Sequence, residues 1–273
     1  MANRGILRIA TRRSPQALAQ ATVVAERLRG AHPSLTVELV HIETAGDVRH
    51  DVPLHTMGGQ GVFVREVQWA VLDGRADVAV HSAKDLPSTP AAGLTIAAFC
   101  ERRDAADALI GRSLAALVAG ATVATGSVRR QAQLAEARPD LTFVDLRGNI
   151  HTRLGKLPPD GALVMAVAAL QILDLTNLIA ERLPVEQFVP SPGQGCVAVE
   201  CRADDPATAV ALAALDHAPT RHAVQAERAF LAELGSGCAL PVGAHCVDGV
   251  LHTFVADPDR GLIERQRRAV ANP

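Results

Sequence analysis

Two pairs of adjacent arginines stand where the sequence predicts that a strand ends and a helix begins. Arg12 and Arg13 form the first pair, beside a capping serine. Arg129 and Arg130 form the second pair, again beside a capping serine. The first turn of a helix presents backbone N–H groups without intrahelical partners, so it attracts anions. A guanidinium adds two parallel hydrogen bonds to a carboxylate or phosphate. Both segments therefore predict binding of an anionic ligand.

Two further arginines, Arg147 and Arg153, follow another predicted strand. Ligands of open α/β sheets bind beyond the carboxyl ends of the strands, where these arginines are expected. A single exposed arginine is usually only solvated, and this alternative holds for each residue taken alone. Because several arginines cluster at strand ends, we favour a ligand that carries several carboxylates or phosphates.

Asp85 and Cys238 are candidates for proton transfer and covalent chemistry. Asp85 follows an apolar strand within HSAKDLP, next to Lys84. A carboxylate in a basic site can stabilise a cation and transfer a proton, although an aspartate there could equally cap the next turn. Cys238 lies in the turn GSGC, where small neighbours leave its sulfur accessible. Such a thiol can be attached covalently in a cationic site, whereas a buried inert thiol is the more common case.

Composition excludes several classes of protein. The 273 residues are 48% hydrophobic and 21% charged, as in globular proteins of two or three domains. A net charge of −2 lacks the positive excess that nucleic acids attract, so we expect no nucleic-acid partner. The longest apolar stretch, residues 162–170, is about half the length of a membrane helix, and the first residues do not resemble a signal peptide. We therefore expect a cytoplasmic protein without a membrane partner.

The five cysteines are odd in number and scattered, which favours reduced thiols over a disulfide framework. Cys196 and Cys201 lack the spacing of a zinc site, and no histidine pair near them completes one, so no metal is expected. With Cys100, they lie in or directly beside apolar predicted strands and should be buried and inert. The sequence contains neither a phosphate-binding loop nor a dinucleotide fingerprint, which disfavours nucleotides.

The elements that must position these residues alternate between strands and helices. Ser14 as N-cap and Pro15 at the first position predict that a helix begins directly after a strand over residues 6–11. The periodicity also predicts a helix over residues 62–72 and strands over residues 37–42, 77–80 and 94–99. The Gly-rich residues 46–61 are predicted to form a mobile loop.

The pattern then begins again, with a helix over residues 128–138 and strands over residues 122–125, 142–146 and 163–166. Alternating strands and helices predict mostly parallel sheets, and the repeated opening predicts two similar α/β domains. Later elements are a strand over residues 197–201, helices over residues 206–215 and 220–234, and a hairpin over residues 244–255 that turns at Asp248 and Gly249. They indicate a small α+β third domain.

Seven motifs, in order, resemble those of the porphobilinogen deaminase (hydroxymethylbilane synthase) family and cover nearly the whole chain. They are RIATRRSPQALAQA, GGQGVFVREV, RADVAVHSAKDLP, SVRRQAQL, LRGNIHTRL, PGQGCVAVECR and AERAFLAELGSGCALPVGAH. The resemblance implies two similar lobes like those of periplasmic binding proteins and a small α+β third domain that carries the cofactor cysteine. The implied boundaries are residues 1–99 with 197–217, residues 100–196, and residues 218–273.

The resemblance also implies an activity. The family's transferases deaminate four porphobilinogen molecules, with loss of ammonia at each step, and join them head to tail on a covalently bound dipyrromethane. Water then releases hydroxymethylbilane for tetrapyrrole and heme biosynthesis. Cys238 would hold the dipyrromethane through a thioether, and Asp85 would be the catalytic carboxylate at the pyrrole nitrogens. The residues implied to bind the cofactor are Lys84, Ser127, Arg129 and Arg130. Those implied to bind porphobilinogen are Arg12, Ser14, Arg147 and Arg153. A cytoplasmic monomer with a mobile loop around residues 58–61 is expected.

The chain departs from the family pattern at several positions. Ile172 stands where a further substrate-binding arginine is expected, and a missing charged partner costs about 1.5–3 kcal/mol. Gly126, Thr56 and Gln60 also differ from the usual residues. The resemblance implies a last helix beyond Pro273, so we expect a divergent member with a shortened third domain. These departures leave open an alternative, a non-catalytic or weakly active paralogue that binds a pyrrole or another polycarboxylate between the lobes.

Overall fold

The computed structural model describes residues 5–43, 64–235 and 240–270. The chain forms two compact units. The first unit contains Met1–Arg102 and Cys196–His222, and the second contains Arg103–Gly195 and Ala223–Pro273.

Strands and helices alternate along the described chain, as the sequence predicts. The strands are β1 (Ile6–Arg12), β2 (Thr36–Ile42), β3 (Val78–Ser82), β4 (Leu94–Phe99), β5 (Asp107–Gly111), β6 (Thr122–Ala124), β7 (Thr142–Val144), β8 (Ala162–Ala166), β9 (Ile179–Arg182), β10 (Val197–Arg202), β11 (Val242–Val247), β12 (Val250–Asp257) and β13 (Leu262–Ala269). The helices are α1 (Pro15–Ala31), α2 (Arg65–Leu72), α3 (Val128–Ala137), α4 (Ile150–Leu154), α5 (Val167–Gln171), α6 (Pro206–Leu212) and α7 (Ala218–Glu233).

The first unit is built on a five-stranded sheet of order β2-β1-β3-β10-β4. Helix α1 packs on this sheet through a stripe that includes Ala21, Val24 and Leu28, all fully buried. These residues recur at helical spacing, and burying Val24 and Leu28 contributes roughly 1.5–3 kcal/mol each. The predicted cap is confirmed, because the Ser14 hydroxyl oxygen accepts a hydrogen bond from the Ala17 N–H at 3.4 Å. The helix therefore begins directly after β1.

The second unit contains a five-stranded sheet of the same design, with order β7-β6-β8-β5-β9. In both sheets, a central strand pairs in parallel with two neighbours: β1 with β2 and β3, and β6 with β7 and β8. In both sheets, the fourth strand in the order runs antiparallel to its two neighbours: β10 against β3 and β4, and β5 against β8 and β9. The two sheets therefore share one topology.

A third, antiparallel sheet of order β11-β12-β13 also belongs to the second unit. The predicted hairpin joins β11 to β12 at Asp248 and Gly249, whose φ angles are 49° and 71°. Two consecutive positive φ angles suit the tight turns that match the twist of paired strands. With this sheet, the expected α/β fold of two similar lobes like those of periplasmic binding proteins and a small third part is confirmed.

Some sequence predictions need correction. The two large sheets are mixed rather than mostly parallel, because β5 and β10 run against both neighbours. The sequence did not predict β5, β9 or β13. β13 is largely exposed and rich in charged residues, and it exists because its backbone pairs with β12 along its whole length. The Gly-rich loop predicted over residues 46–61 lies outside the described residues.

Two glycines offer a matched test of the packing around the helices and sheets. A Cβ on Gly161, just before β8, would lie 2.1 Å from the Thr122 carbonyl oxygen. A Cβ on Gly30, within α1, would meet no atom within 4 Å. We expect Gly161→Ala to lower the free energy of unfolding by about 1–3 kcal/mol, and Gly30→Ala to raise it by about 0.5–1 kcal/mol. Urea unfolding of both variants measures this, and equal shifts of the two midpoints would contradict the packing.

Candidate functional site

Arg129 and Arg130 converge on one buried carboxylate, that of Asp107. Asp107 is 1% exposed, and its Oδ2 lies 2.8 Å from Arg129 Nη2. Arg130 donates two hydrogen bonds to Asp107 Oδ1, from Nε at 3.0 Å and from Nη2 at 2.7 Å. Gln194 Nε2 donates to the same Oδ1 at 2.8 Å. We name these four residues the Asp107 cluster, and its two guanidiniums and one carboxylate leave one excess positive charge.

The Asp107 cluster forms where α3, β5 and residues 190–195 meet. Helix α3 begins after Ser127, whose hydroxyl oxygen accepts a hydrogen bond from the Arg130 N–H at 3.4 Å. The two guanidiniums also donate to backbone carbonyls, Arg129 to Val189 at 2.8 Å and Arg130 to Val164 at 3.1 Å. The Arg129 side chain is 5% exposed and that of Arg130 is 10% exposed. Arg129 is therefore held within the protein, and Arg130 lies closer to solvent.

Electrostatics keep the Asp107 carboxyl ionised. Burial by itself would raise the pKa of Asp107, but Arg129, Arg130 and the hydrogen bonds of the cluster hold that pKa well below its usual range. Burial also lowers the pKa of the Arg129 guanidinium, against the attraction of Asp107. The carboxylate is thus charged at neutral pH and compensates part of the positive charge of the two arginines.

Sequence reasoning missed Asp107 and Gln194. The available signal was an aspartate inside an otherwise apolar run, AADALI, because a buried charge needs a partner. Gln194 stands between two glycines of PGQG, where it reads as an ordinary loop residue. Neither signal says which residue is the partner, since Asp107 and Gln194 are 87 positions apart.

Arg147 and Arg153 lie beyond the end of β7, the strand that pairs with β6. Both follow β7, which pairs in parallel with β6, so they and the start of α3 follow strand ends at one edge of the second sheet. Asn149 caps α4 by accepting from the Thr152 N–H at 3.0 Å. Arg153 Nε donates to the Gly148 carbonyl at 2.8 Å, and Arg147 Nε lies 3.5 Å from an oxygen of Asp145. The structure thus brings the predicted arginines of the second unit to the same sheet edge.

The predicted residues of the first unit also share one sheet edge. Arg12 ends β1, and Ser14 caps the helix that follows. Lys84 and Asp85 lie in a short 3₁₀ turn, Ala83–Asp85, directly after β3, and both side chains are partly buried. Because β1 and β3 are paired in parallel, these four residues follow strand ends on the same side of the sheet.

Polar contacts fix the end of β3, from which the Asp85 turn departs. Ser82 Oγ accepts a hydrogen bond from Gln20 Nε2 of α1 at 3.0 Å. One residue earlier, His81 Nε2 lies 3.1 Å from Oε2 of the buried Glu200. Gln68 Nε2 of α2 donates to the same Glu200 oxygen at 2.8 Å. Sequence reasoning did not identify these contacts, which hold the Asp85 turn from both faces of the sheet.

The cysteines divide into described and undescribed residues. Cys100, Cys196 and Cys201 are buried, which confirms the prediction for these three, and burial raises the pKa of the Cys201 thiol to about 11. Cys246 is buried as well. Cys238 lies outside the described residues, as do Thr56, Gln60 and residues 58–61.

The described residues contain neither a metal-binding cluster nor a membrane-spanning helix. No cluster of three or more histidine, cysteine, aspartate or glutamate side chains in residues 5–43, 64–235 and 240–270 could hold a metal ion. Among the helices of the same ranges, none combines the length and the apolar character needed to cross a bilayer.

Two α/β sheets of shared topology, with a small antiparallel sheet, define a protein of the class with lobes like those of periplasmic binding proteins. The model of the porphobilinogen deaminase dipyrromethane cofactor binding domain matches residues 7–210. The model of the porphobilinogen deaminase C-terminal domain matches residues 222–271. The chain belongs to the porphobilinogen deaminase family.

Several solved structures resemble the chain at low identity. A nutrient binding protein from Burkholderia cenocepacia bound to methionine is 13% identical, with a TM-score of 0.47 over 77% of this chain and 90% of that one. The BenM effector binding domain with benzoate is 13% identical, with a TM-score of 0.45 over 84% and 93%. The regulatory domain of MexT, a transcriptional activator in Pseudomonas aeruginosa, is 13% identical, with a TM-score of 0.44 over 78% and 99%. These likenesses are too weak to bear on function.

The Asp107 cluster predicts a stability that depends on pH. Asp107→Asn leaves two buried guanidiniums without their counter-charge, and we expect the free energy of unfolding at pH 7 to fall by about 3–5 kcal/mol. The folded-state pKa of Asp107 lies below its unfolded value of about 3.9. The contribution of the charge is therefore fully present above about pH 4 and is lost as the pH falls toward the folded-state pKa.

Urea unfolding at several pH values measures the difference between wild type and Asp107→Asn. Asp140→Asn is the matched control, because Asp140 pairs with Arg138 at the surface and its loss should matter much less. Equal effects of the two variants, or a difference that stays constant below pH 4, would contradict the assignment.

Proposed function

We propose that the chain is a hydroxymethylbilane synthase, a transferase that deaminates and joins four porphobilinogen molecules on a dipyrromethane bound covalently to Cys238. Family membership supports this assignment at the level of tetrapyrrole biosynthesis. The observation that carries the specific activity is the placement of Asp85 at one sheet edge with Arg12, Ser14 and Lys84. That edge combines a carboxylate for a cation with cationic partners for the acid groups of the substrate.

The second unit offers groups that fit dipyrromethane. This molecule carries acetate and propionate groups, and their charge suits the excess positive charge of the Asp107 cluster beside the first turn of α3. Arg130 and Ser127 would hold its carboxylates. Lys84 belongs to the first unit, and its proposed role in binding the cofactor rests on the family resemblance alone. Both guanidiniums donate to Asp107 and to a backbone carbonyl, but Arg129 is the more deeply buried of the two, so it would act on the cofactor mainly through its charge. When bound, dipyrromethane supplies the pyrrole to which the first porphobilinogen is joined.

The remaining arginines would bind and orient porphobilinogen. Each pyrrole brings two carboxylates, and a guanidinium can pair with each through two hydrogen bonds. Arg12 with Ser14 would serve in the first unit, and Arg147 with Arg153 in the second. The contact of Arg153 Nε with the Gly148 carbonyl fixes the direction of that side chain before any substrate arrives. A preset guanidinium loses less conformational entropy on binding.

Asp85 would carry the chemistry of the substrate. When ammonia leaves the aminomethyl group of porphobilinogen, positive charge spreads to the pyrrole nitrogen. A fixed carboxylate near that nitrogen lowers the free energy of the charged transition state. The same carboxylate can accept the proton that leaves when two rings are joined. The turn after β3, held by Ser82 and His81 contacts, supplies the fixed geometry that this role requires.

We extend the proposal to a monomeric protein of the cytoplasm. Formation of a thioether needs a free thiol at Cys238, and a reducing compartment keeps thiols free. The proposed product, hydroxymethylbilane, would then be released into the cytoplasm.

The covalent cofactor provides the first test of this function. We expect the denaturing intact mass of the purified protein to exceed the sequence mass by one dipyrromethane. Cys238→Ala should lose this added mass, and Cys100→Ala should retain it, because Cys100 is buried in the first unit. The sequence mass alone, persisting after incubation with porphobilinogen, would contradict covalent attachment.

That contrary result would favour the second candidate, a paralogue that binds a pyrrole or another polycarboxylate without turnover. The supporting observation is Ile172, an apolar side chain that follows α5 where the family pattern has an arginine. Its sec-butyl side chain cannot pair with a carboxylate. Equilibrium binding of porphobilinogen to a protein that carries no added mass would establish this candidate.

The role of Asp85 gives a separate prediction. Asp85→Ala removes the proposed cation stabiliser and proton acceptor, and we expect kcat to fall by about 10²- to 10⁴-fold while the protein remains folded. Asp204→Ala is the control, because Asp204 is a highly exposed aspartate of the same unit. Product formation from porphobilinogen is measured for both variants, with circular dichroism to verify folding. Unchanged turnover in Asp85→Ala would remove this residue from the mechanism.

A further inference from the structure

Glu227 is a fully buried glutamate in α7 that the sequence analysis did not single out. Its Oε2 accepts a hydrogen bond from the Gly193 N–H at 2.7 Å, and its Oε1 accepts one from the Cys246 N–H at 2.8 Å. The imidazole of His245 also lies near, with Nδ1 3.3 Å from Oε1. A buried carboxylate is costly unless donors surround it, so these contacts explain how it is tolerated. One side chain thereby joins α7, β11 and residues 190–195.

Residues 190–195, which we name the 190–195 loop, connect Glu227 to the Asp107 cluster. Gly193 donates to Glu227, and the next residue, Gln194, donates to Asp107 Oδ1 at 2.8 Å and to the Ala105 carbonyl at 2.7 Å. The side chain of Gln194 is buried. Consecutive residues of one loop therefore contact the two buried carboxylates of the second unit.

The backbone of the 190–195 loop has little freedom to move between these contacts. Gly193 and Gly195 have φ angles of 74° and 87°, a region that other residues rarely adopt. A Cβ on Gly195 would lie 2.7 Å from the Arg103 carbonyl oxygen. Backbone hydrogen bonds also hold the loop, from the Gln194 N–H to the Ser191 carbonyl at 2.9 Å and from the Arg103 N–H to the Gly195 carbonyl at 3.0 Å. A displacement of Gly193 would therefore disturb Gln194, the next residue.

We infer that Glu227 is a positioning residue that sets the place of the Arg129 and Arg130 guanidiniums through Gly193, Gln194 and Asp107. The inference rests on the proposed function where it assigns those arginines to the carboxylates of the cofactor. Helix α7, which carries Glu227, also leads along the chain toward Cys238.

Glu227→Gln tests this role with the smallest change of shape. The amide retains one oxygen, so either Gly193 or Cys246 loses its acceptor and faces an NH₂ group instead. The control is Glu233→Gln on the same helix, because Glu233 is exposed. Gln194→Met interrupts the connection at its second step while keeping a similar side-chain length. All variants are made in the full chain.

Two measurements are applied to each variant. Hydrogen–deuterium exchange reports on peptides that contain the 190–195 loop, residues 105–108, residues 128–131 and residues 242–247. Steady-state kinetics with porphobilinogen gives kcat and KM, with kcat expressed per molecule that carries the cofactor mass. This normalisation separates slower chemistry from a smaller loaded fraction.

For Glu227→Gln we expect faster exchange in the 190–195 loop that extends to residues 105–108 and 128–131. We also expect kcat to fall by about ten-fold, while KM for porphobilinogen stays within about two-fold. Glu233→Gln should match the wild type in both measurements. Faster exchange confined to residues 190–195 and 242–247, with unchanged kcat, would show that Glu227 has only a local structural role and would overturn the inference.

A double-variant comparison tests whether Glu227 acts through Gln194. If it does, Glu227→Gln combined with Gln194→Met should reduce kcat no more than the larger single effect. A reduction equal to the product of the two single effects would overturn this route. If the wild type carries no cofactor and shows no turnover, the proposed function fails instead. The positioning role of Glu227 is then still decided by whether faster exchange reaches residues 105–108 and 128–131 or stays within residues 190–195 and 242–247.

Discussion

Burial of the Asp107 carboxylate would cost several kcal/mol if the group stood alone, and the second unit is arranged around its compensation. Two guanidiniums from the first turn of α3 and one amide from the 190–195 loop surround it. These elements must assemble together, because removing any one leaves a buried charge or donor without its partner. Two guanidiniums against one carboxylate leave one excess positive charge in the cluster, and such a charge attracts carboxylates.

The two large sheets share one topology and the same kind of strand-to-helix junction. In each, the central parallel strand runs into a helix capped by serine, with Ser14 after β1 and Ser127 after β6. Arginines occur at both junctions, before the capping serine in the first unit and after it in the second. Their surroundings differ, however, because Arg12 ends an edge that also carries Asp85, whereas Arg129 and Arg130 share the buried Asp107. One topology thus presents cationic groups in two chemical settings, one beside a partly buried aspartate and one around a fully buried aspartate.

Arg129 and Arg130 illustrate how adjacent residues of one type acquire different roles. Both contact Asp107, but Arg129 is more deeply buried and its guanidinium also donates to Val189. Arg130 lies nearer the surface and belongs to the first turn of α3, where backbone N–H groups also attract anions. A ligand carboxylate would meet Arg130 directly, with Arg129 supplying charge from behind. Family membership makes such a ligand expected.

The sequence by itself determined the elements whose signals are local. Ser14, Ser127 and the Asp248-Gly249 turn act within a few residues of their own positions, so their caps and turn were predictable. Regular apolar spacing likewise predicted most of the buried strands and the longer helices. Ordered motifs were specific enough to indicate the family, because each reflects local chemistry that recurs in its members.

Only the tertiary structure decided which charged residues compensate each other and which polar segments become strands. β13 forms because β12 offers backbone partners, and its own charged side chains gave no such signal. Asp107 meets Gln194 across 87 positions, and Glu227 meets Gly193 across 34. Such pairs depend on where distant segments are brought together by folding. The free energy of a buried charge is set by those neighbours in space, and a linear pattern of residues does not contain them.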